Sequence, residues 1–237
     1  MTRAILTSQT HIIDLLVDVQ NINLTKVDPE TGLDCLAAAA RVGNLEVAQL
    51  LLKRAGLKLD SALLQAVEAG HEAVLDLLLS HGADLGVRDE RGLSLLHIVA
   101  SLGHCSILRR LLEAKTDLDL ASETDTEGLT PLTSAILGDQ VEAAALLLAH
   151  CGPAILEAQD RSGRRALDIA IYQGSPAMVE LLLDSGANME RADERGVRPL
   201  DRVIGFGNAA IVTMFLRKGA KLGPSTWIMA AEKPEIQ

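Results

Sequence analysis

The chain of 237 residues is predicted to fold as an all-α solenoid of stacked helix-turn-helix units joined by finger loops. Three observations carry this. A turn followed by two short amphipathic helices recurs along most of the sequence and is clearest from Asp160 to Asn188. The composition is 48% hydrophobic but only 2% aromatic, and a Leu- and Ala-rich chain favours close-packed helices over sheets of β-branched and aromatic residues. Finally, one such unit cannot bury its own apolar face, so copies must stack.

In the clearest unit, Asp160-Arg161-Ser162-Gly163 forms the turn, and Leu167, Ile169, Ala170 and Ile171 make the apolar stripe of a first helix. Gly174 breaks that helix and Ser175-Pro176 restarts the chain, proline being tolerated in a first turn, where its missing N–H is no loss. Met178, Val179 and Leu181 to Leu183 form the second stripe, and Gly186 suits a left-handed C-terminal cap.

Residues 1–33 read as a partial unit. Ile12, Ile13, Leu15, Leu16 and Val17 suggest an amphipathic helix, and Asp28-Pro29-Glu30-Thr31-Gly32 a turn-rich finger. No convincing first helix precedes them, so the expectation is an array that continues N-terminally or opens on a degenerate cap. Six helix pairs follow at 34–60, 61–93, 94–129, 130–164, 165–197 and 198–224. Their first helices open at Asp34, Ser61, Ser94, Thr130, Arg165 and Arg198, each with Leu two residues later, and the starts lie 27, 33, 36, 35 and 33 residues apart. Nine residues after each start stands the break, at Gly43, Gly70, Gly103, Asp139, Gly174 and Gly207, followed by a Leu-rich run. The second pair lacks a finger, whereas Ala121 to Gly128 makes a longer, acidic one. Residues 225–237 read as a cap or junction: Ser225 to Ala231 is a first helix without a partner, ended by Pro234.

This register resembles the ankyrin repeat, whose pattern runs Gly-x-Thr-Pro-Leu-His, two Ala, Gly-His, a Leu run and Gly-Ala-Asp. Thr130-Pro131-Leu132 keeps one half of the signature and Leu96-His97 the other. A narrower resemblance lies at the C-terminus. Arg198 to Gly205, Lys218 to Pro224 and Lys233-Pro234-Glu235-Ile236 are similar to the end of the ankyrin array in the TANC and Rolling pebbles scaffold family. That resemblance implies an intracellular scaffold at the plasma-membrane cortex, acting at synapses or sites of myoblast fusion, with tetratricopeptide repeats following the array.

The formal net charge of −10 argues against nucleic acid as a partner, because phosphate binding needs a basic face. Cys35, Cys105 and Cys151 are scattered without paired metal-ligand spacing, which fits a reducing cytoplasm. No apolar run approaches a membrane span and no signal-peptide core opens the chain. Phosphate loops, nucleophile elbows and zinc-protease motifs are missing, so the reading is non-enzymatic, with no cofactor and no metal. His71 and His104 follow break glycines and His97 stands in the signature position; all three read as structural.

Binding is the better prospect. First helices and fingers line one face of such a repeat array, and positions four, seven and eight after each start should point to it. In the later repeats these positions include Ile98, Leu102, Leu137, Ile169, Tyr172, Arg202 and Phe206. Two of the four aromatic residues, Tyr172 and Phe206, fall in this row, and interface energy concentrates on aromatic anchors. Arg161 and Arg195 at the finger tips, with Arg202, suggest recognition of an acidic segment, set against simple pairing with Asp160, Asp193, Glu194 and Asp201. Glu123 and Asp125, with Asp117 and Asp119, would select a basic one.

The expectation is therefore a monomeric, cytoplasmic scaffold or adaptor module that binds a segment or domain of a signalling or membrane-associated protein. An alternative is an acidic inhibitor that masks a basic segment of a transcription factor. In a third, the row is filled by another part of the same parent chain.

Overall fold

A computed structural model describes residues 1–7, 13, 23–54, 56–114, 123–193, 195–223 and 226. It contains α1 (Thr2–Leu6), α2 (Cys35–Val42), α3 (Leu45–Leu52), α4 (Asp60–Ala69), α5 (Glu72–Ser80), α6 (Leu95–Leu102) and α7 (Cys105–Ala114). These are followed by α8 (Pro131–Leu137), α9 (Val141–Cys151), a 3-10 turn (Pro153–Glu157), α10 (Ala166–Gln173), α11 (Pro176–Asp184), α12 (Pro199–Phe206) and α13 (Ala209–Arg217). No strand occurs among the described residues; one isolated bridge joins Arg88 to Ser94 across a finger. The fold is all-α and repetitive. Two compact units divide the chain at Met1–Val99 and Ala100–Gln237, the boundary falling within α6.

In the first unit, α2 packs between α1 and α4, and α3 lies on α5. The short α1 corrects the expectation that no first helix opens the chain. Five residues cannot hold a helix alone, but Thr2 and Ile5 are buried, and packing on α2 supplies what local propensity lacks. The helix expected over Ile12 to Val17 lies outside the described residues, save for Ile13, which is helical and fully buried. In the second unit α8, α10 and α12 pack side by side as one row, and α7, α9, α11 and α13 as another.

Five of the first helices open on a polar contact between residues three apart, whose chemistry differs from repeat to repeat; α4 opens on Leu59 without one. Asp34 accepts from the Ala37 N–H at 2.8 Å. Ser94 Oγ lies 2.8 Å from His97 Nδ1, both residues buried. Thr130 and Thr133 form a reciprocal capping box, and Asp168 accepts from the Arg165 N–H at 3.0 Å. Arg198 Nε donates to Asp201 at 3.2 Å. At Asp34, Thr130 and Asp168 the contact satisfies a free N–H group of the helix start; at Ser94 and Arg198 it joins two side chains.

The breaks are conformationally uniform. Gly43, Gly103, Gly174 and Gly207 take φ between 70° and 75°, and Asp139 takes the same left-handed region at φ 52° without being glycine. A side chain from the following repeat covers the break in three places. The His71 ring lies on Gly43, Gln140 on Gly103 and Asn208 near Gly174. His71 Nε2 also lies 3.2 Å from the Arg41 carbonyl, and Asn208 donates to the Gly174 carbonyl at 3.5 Å. These links, together with the buried Leu and Ala faces, hold neighbouring repeats in register.

The fingers share one turn. A single carboxylate oxygen of Asp89, Asp125, Asp160 or Asp193 accepts backbone N–H groups two and four residues on, at 2.8–2.9 Å. This is the local hydrogen bonding that favours Asp in turns.

Candidate functional site

Packing against neighbouring helices, more than helical spacing, decides which side chains of the first helices face out. Leu137, Tyr172 and Phe206 are 46%, 69% and 53% exposed, and Leu102 is 47% exposed. Ile98 and Ile169, by contrast, are 4% and 2% exposed, which corrects their assignment to the outward row. Ala38 and Ser134, at the same position of other repeats, are buried as well. The fourth position lies a turn nearer the helix start, where the repeat core covers it, whereas the seventh and eighth lie at the free end.

Tyr172 on α10 and Phe206 on α12 come from sequence positions 34 apart, and their rings meet edge to face, with centroids 6.0 Å apart at 78°. That is the favoured arrangement for two ring quadrupoles. Aromatic side chains otherwise belong in the interior, as Phe215 does, fully buried on α13. Close by, Gln173 donates to the Leu137 carbonyl at 3.2 Å and ties α10 to α8. The result is a firm apolar ledge on adjacent helices of the second unit.

Of the arginines expected near this row Arg202 is engaged in an ion pair, as are its neighbours Arg164, Arg191 and Arg198. Arg164 pairs with Asp160 at 2.7 Å, Arg202 with Asp193 at 2.6 Å, and Arg191 with Glu157 at 2.9 Å. Arg198 sits in a denser network. It contacts Asp201 through Nε and donates to Thr226 Oγ1 at 2.8 Å, while Thr226 donates to Asp201 Oδ1 at 2.6 Å. Both Asp201 and Thr226 are buried. Arg161 and Arg195 are exposed at the finger tips, and no carboxylate among the described residues pairs with either. Burial works against ionisation of Asp193, but the N–H groups of Val197 and Arg195 and the charges of Arg202 and Arg195 prevail and hold it below the ordinary carboxylate range. Its ion pair with Arg202 is thus maintained at neutral pH.

Asp125 is half-buried and occupied in its own turn, accepting from Glu127 and Leu129. It serves the finger before it could serve a partner. Glu123 is also half-buried, while Glu127 is exposed. Asp117, Asp119 and Glu194 lie outside the described residues.

No group of three His, Cys, Asp or Glu among the described residues is placed to hold a metal. Burial pushes the thiols of Cys35 and Cys105 up, for Cys105 with help from Glu142, which is the direction of an unreactive thiol. No described helix is long and apolar enough to cross a membrane.

A family model described as ankyrin repeats (3 copies) matches residues 1–89, 63–158 and 96–193. SMC5-SMC6 complex localization factor protein 1 of Homo sapiens is 33% identical over 137 residues, covering 57% of this chain and 12% of that protein. NF-kappa-B inhibitor delta of Mus musculus is 28% identical over 141 residues, or 51% of this chain and 42% of the inhibitor. Ankyrin repeat and KH domain-containing protein mask-1 of Caenorhabditis elegans is 29% identical over 175 residues, or 73% of this chain and 6% of that protein. The matched region spans less than half the length of each of these relatives.

Proposed function

The chain belongs to the ankyrin-repeat family, and from that premise we propose that its second unit binds a segment of another protein on the first-helix row. The observation that carries this is the edge-to-face pair of Tyr172 and Phe206, more than half exposed on adjacent helices. Leu102 and Leu137 add exposed apolar surface. Rings held against each other lose little further freedom on binding, and well-packed aromatics are where interface energy concentrates. Arg161 and Arg195 at the finger tips set orientation and on-rate. In this reading the chain is a non-catalytic adaptor. The similarity of residues 198–236 to TANC and Rolling pebbles scaffolds supports a cytoplasmic site of action at the membrane cortex.

A second reading rests on the net charge of −10 and the similarity to NF-kappa-B inhibitor delta: an acidic module that masks a basic segment. It would place contact at the acidic finger around Glu123 and Glu127 instead of the aromatic row.

The test is capture from cell lysate by the wild-type chain beside a Tyr172→Ala, Phe206→Ala double variant, with circular dichroism to confirm both folds. Prey lost only with the variant supports the first reading. Prey kept by the variant but lost on Glu123→Lys, Glu127→Lys supports the second. If nothing is captured, the row is filled within the parent chain.

A further inference from the structure

The second helices of the second unit share one position whose residue type is constant and whose exposure is not. Nine residues after each break, at Gly103, Asp139, Gly174 and Gly207, stands a leucine. Leu112, Leu148 and Leu183, on α7, α9 and α11, are all buried. Leu216, at the same place on α13, is 45% exposed. Each of the first three helices has the next second helix packed beside it, whereas no described helix lies beyond α13. Leu222, in the loop after α13, is exposed as well, while its equivalent Met189 is half-buried. The surface that each earlier repeat covers is therefore open at α13.

The α11–α13 contact shows what such a surface takes. Ile211 and Phe215 of α13 are fully buried, and Lys218 at its end pairs with Asp184 of α11. Those three residues stand at i, i+4 and i+7, on one face of the helix. Asp184 lies ten residues after its break, and the residue ten after Gly207 is Arg217. The sign of the charge at this position is thus reversed on α13. Arg217 and Lys221 are exposed, and neither side chain pairs with a carboxylate among the described residues. The carboxylates nearby are engaged. Asp184 holds Lys218, and Glu190 accepts from the Lys221 N–H at 2.7 Å and lies 3.5 Å from Arg198. Three cations, Arg217, Lys218 and Lys221, stand on this edge against those two carboxylates.

We infer that the open edge of α13 docks an acidic amphipathic helix of another protein, packed beside α13 as α13 packs beside α11. That helix carries apolar residues at the places of Ile211 and Phe215 and an Asp or Glu at the place of Lys218, facing Arg217. Its pattern is an apolar residue, a second four later and an acidic one three after that. The surface is separate from the first-helix row, so the inference goes beyond the docking reading above. Residues 227–237 contain no such pattern, and Thr226 before them is held at the start of α12 by Arg198 and Asp201. A second copy docked through its own α13 would set Arg217 and Lys218 against their duplicates, and like charges at close range repel.

The probe is a synthetic Ala-rich helical peptide of about 20 residues with Ile, Phe and Glu at that spacing, beside a twin with Lys in place of Glu. Binding is read by fluorescence anisotropy on the whole 237-residue chain, on Leu216→Asp, on Arg217→Glu and on Tyr172→Ala, Phe206→Ala, all checked for fold by circular dichroism. The wild type should bind the Glu peptide about tenfold more tightly than its twin, and Arg217→Glu should reverse that preference. Leu216→Asp should weaken the Glu peptide about tenfold, and the aromatic double variant should bind it like the wild type. No binding, or binding indifferent to Leu216 and Arg217, would overturn the inference and leave the first-helix reading standing. Binding lost on the aromatic variant alone would also overturn it, by placing the helix on the first-helix row. A wild-type dimer in sedimentation equilibrium that Leu216→Asp dissociates would make the occupant a second copy, and the inference would fall.

Discussion

The carbonyl oxygen of Ser101 in α6 lies so close to Gly138, at the end of α8, that a side chain built on Gly138 would overlap it. The φ of Gly138 is −82°, ordinary for any residue. Glycine is required there by space, because two first helices of the second unit approach through it. Gly138→Ala must push a backbone atom aside. The expected cost is about 1–3 kcal/mol, read as a lower urea midpoint.

One residue further on, the opposite substitution should help. Asp139 holds φ 52° at the break, where Gly43, Gly103, Gly174 and Gly207 hold φ 70–75°. A non-glycine residue in the left-handed region is strained, with Asp and Asn the most tolerant. Asp139→Gly removes that strain at the price of a more flexible unfolded chain. A net gain of about 0.5 kcal/mol is expected from the same denaturation experiment.

Asp201 and Thr226, buried together around Arg198, predict a large and a small effect. Asp201→Ala leaves the Arg198 guanidinium only its longer contact with Glu190, at 3.5 Å, and strands the buried Thr226 hydroxyl, and should cost about 3 kcal/mol. Thr226→Val removes a bridging hydroxyl and should cost about 1 kcal/mol. In a double-mutant cycle the two losses should fall short of additivity, because both residues contact Arg198 and each other.

Two carboxyl groups should move stability with pH in opposite senses. Burial pushes the Asp34 carboxyl above its ordinary range, against the opposing N–H groups of Ala37 and Leu36 and the charge of Lys58. A raised folded-state value favours folding at low pH, and that contribution is lost as pH rises through it. Asp34→Asn should therefore gain on the wild type from about pH 3 to pH 7. Asp193 is held low despite burial, so its stabilisation is present above the ordinary carboxylate value and lost as pH falls through the depressed one. Asp193→Asn should trail the wild type at neutral pH and close the gap in acid.

The exposed aromatics should matter little for folding. Tyr172→Ala with Phe206→Ala deletes an edge-to-face contact worth about 1 kcal/mol and little buried area. A loss of stability well above about 2 kcal/mol would mark the rings as structural, not as a binding surface.

The repeat was legible because its determinants are local. A break needs a residue that tolerates positive φ, which Gly43 through Gly207 supply and Asp139 can approximate; a finger needs an Asp that accepts two nearby N–H groups, which Asp89, Asp125, Asp160 and Asp193 do. Those requirements are met within a few residues, so they appear in the sequence as a period. By itself, the sequence determined the all-α repeat, its helix starts and its breaks. Exposure was decided by tertiary structure. Ile98 and Ile169 have the same residue type and spacing as an outward row, but packing by neighbouring helices puts them in the core. The α1 helix and the Tyr172–Phe206 contact also depend on residues far apart in sequence being brought together. A periodic sequence specifies each unit's face, but only the stacked neighbours determine how much of that face remains open to a partner.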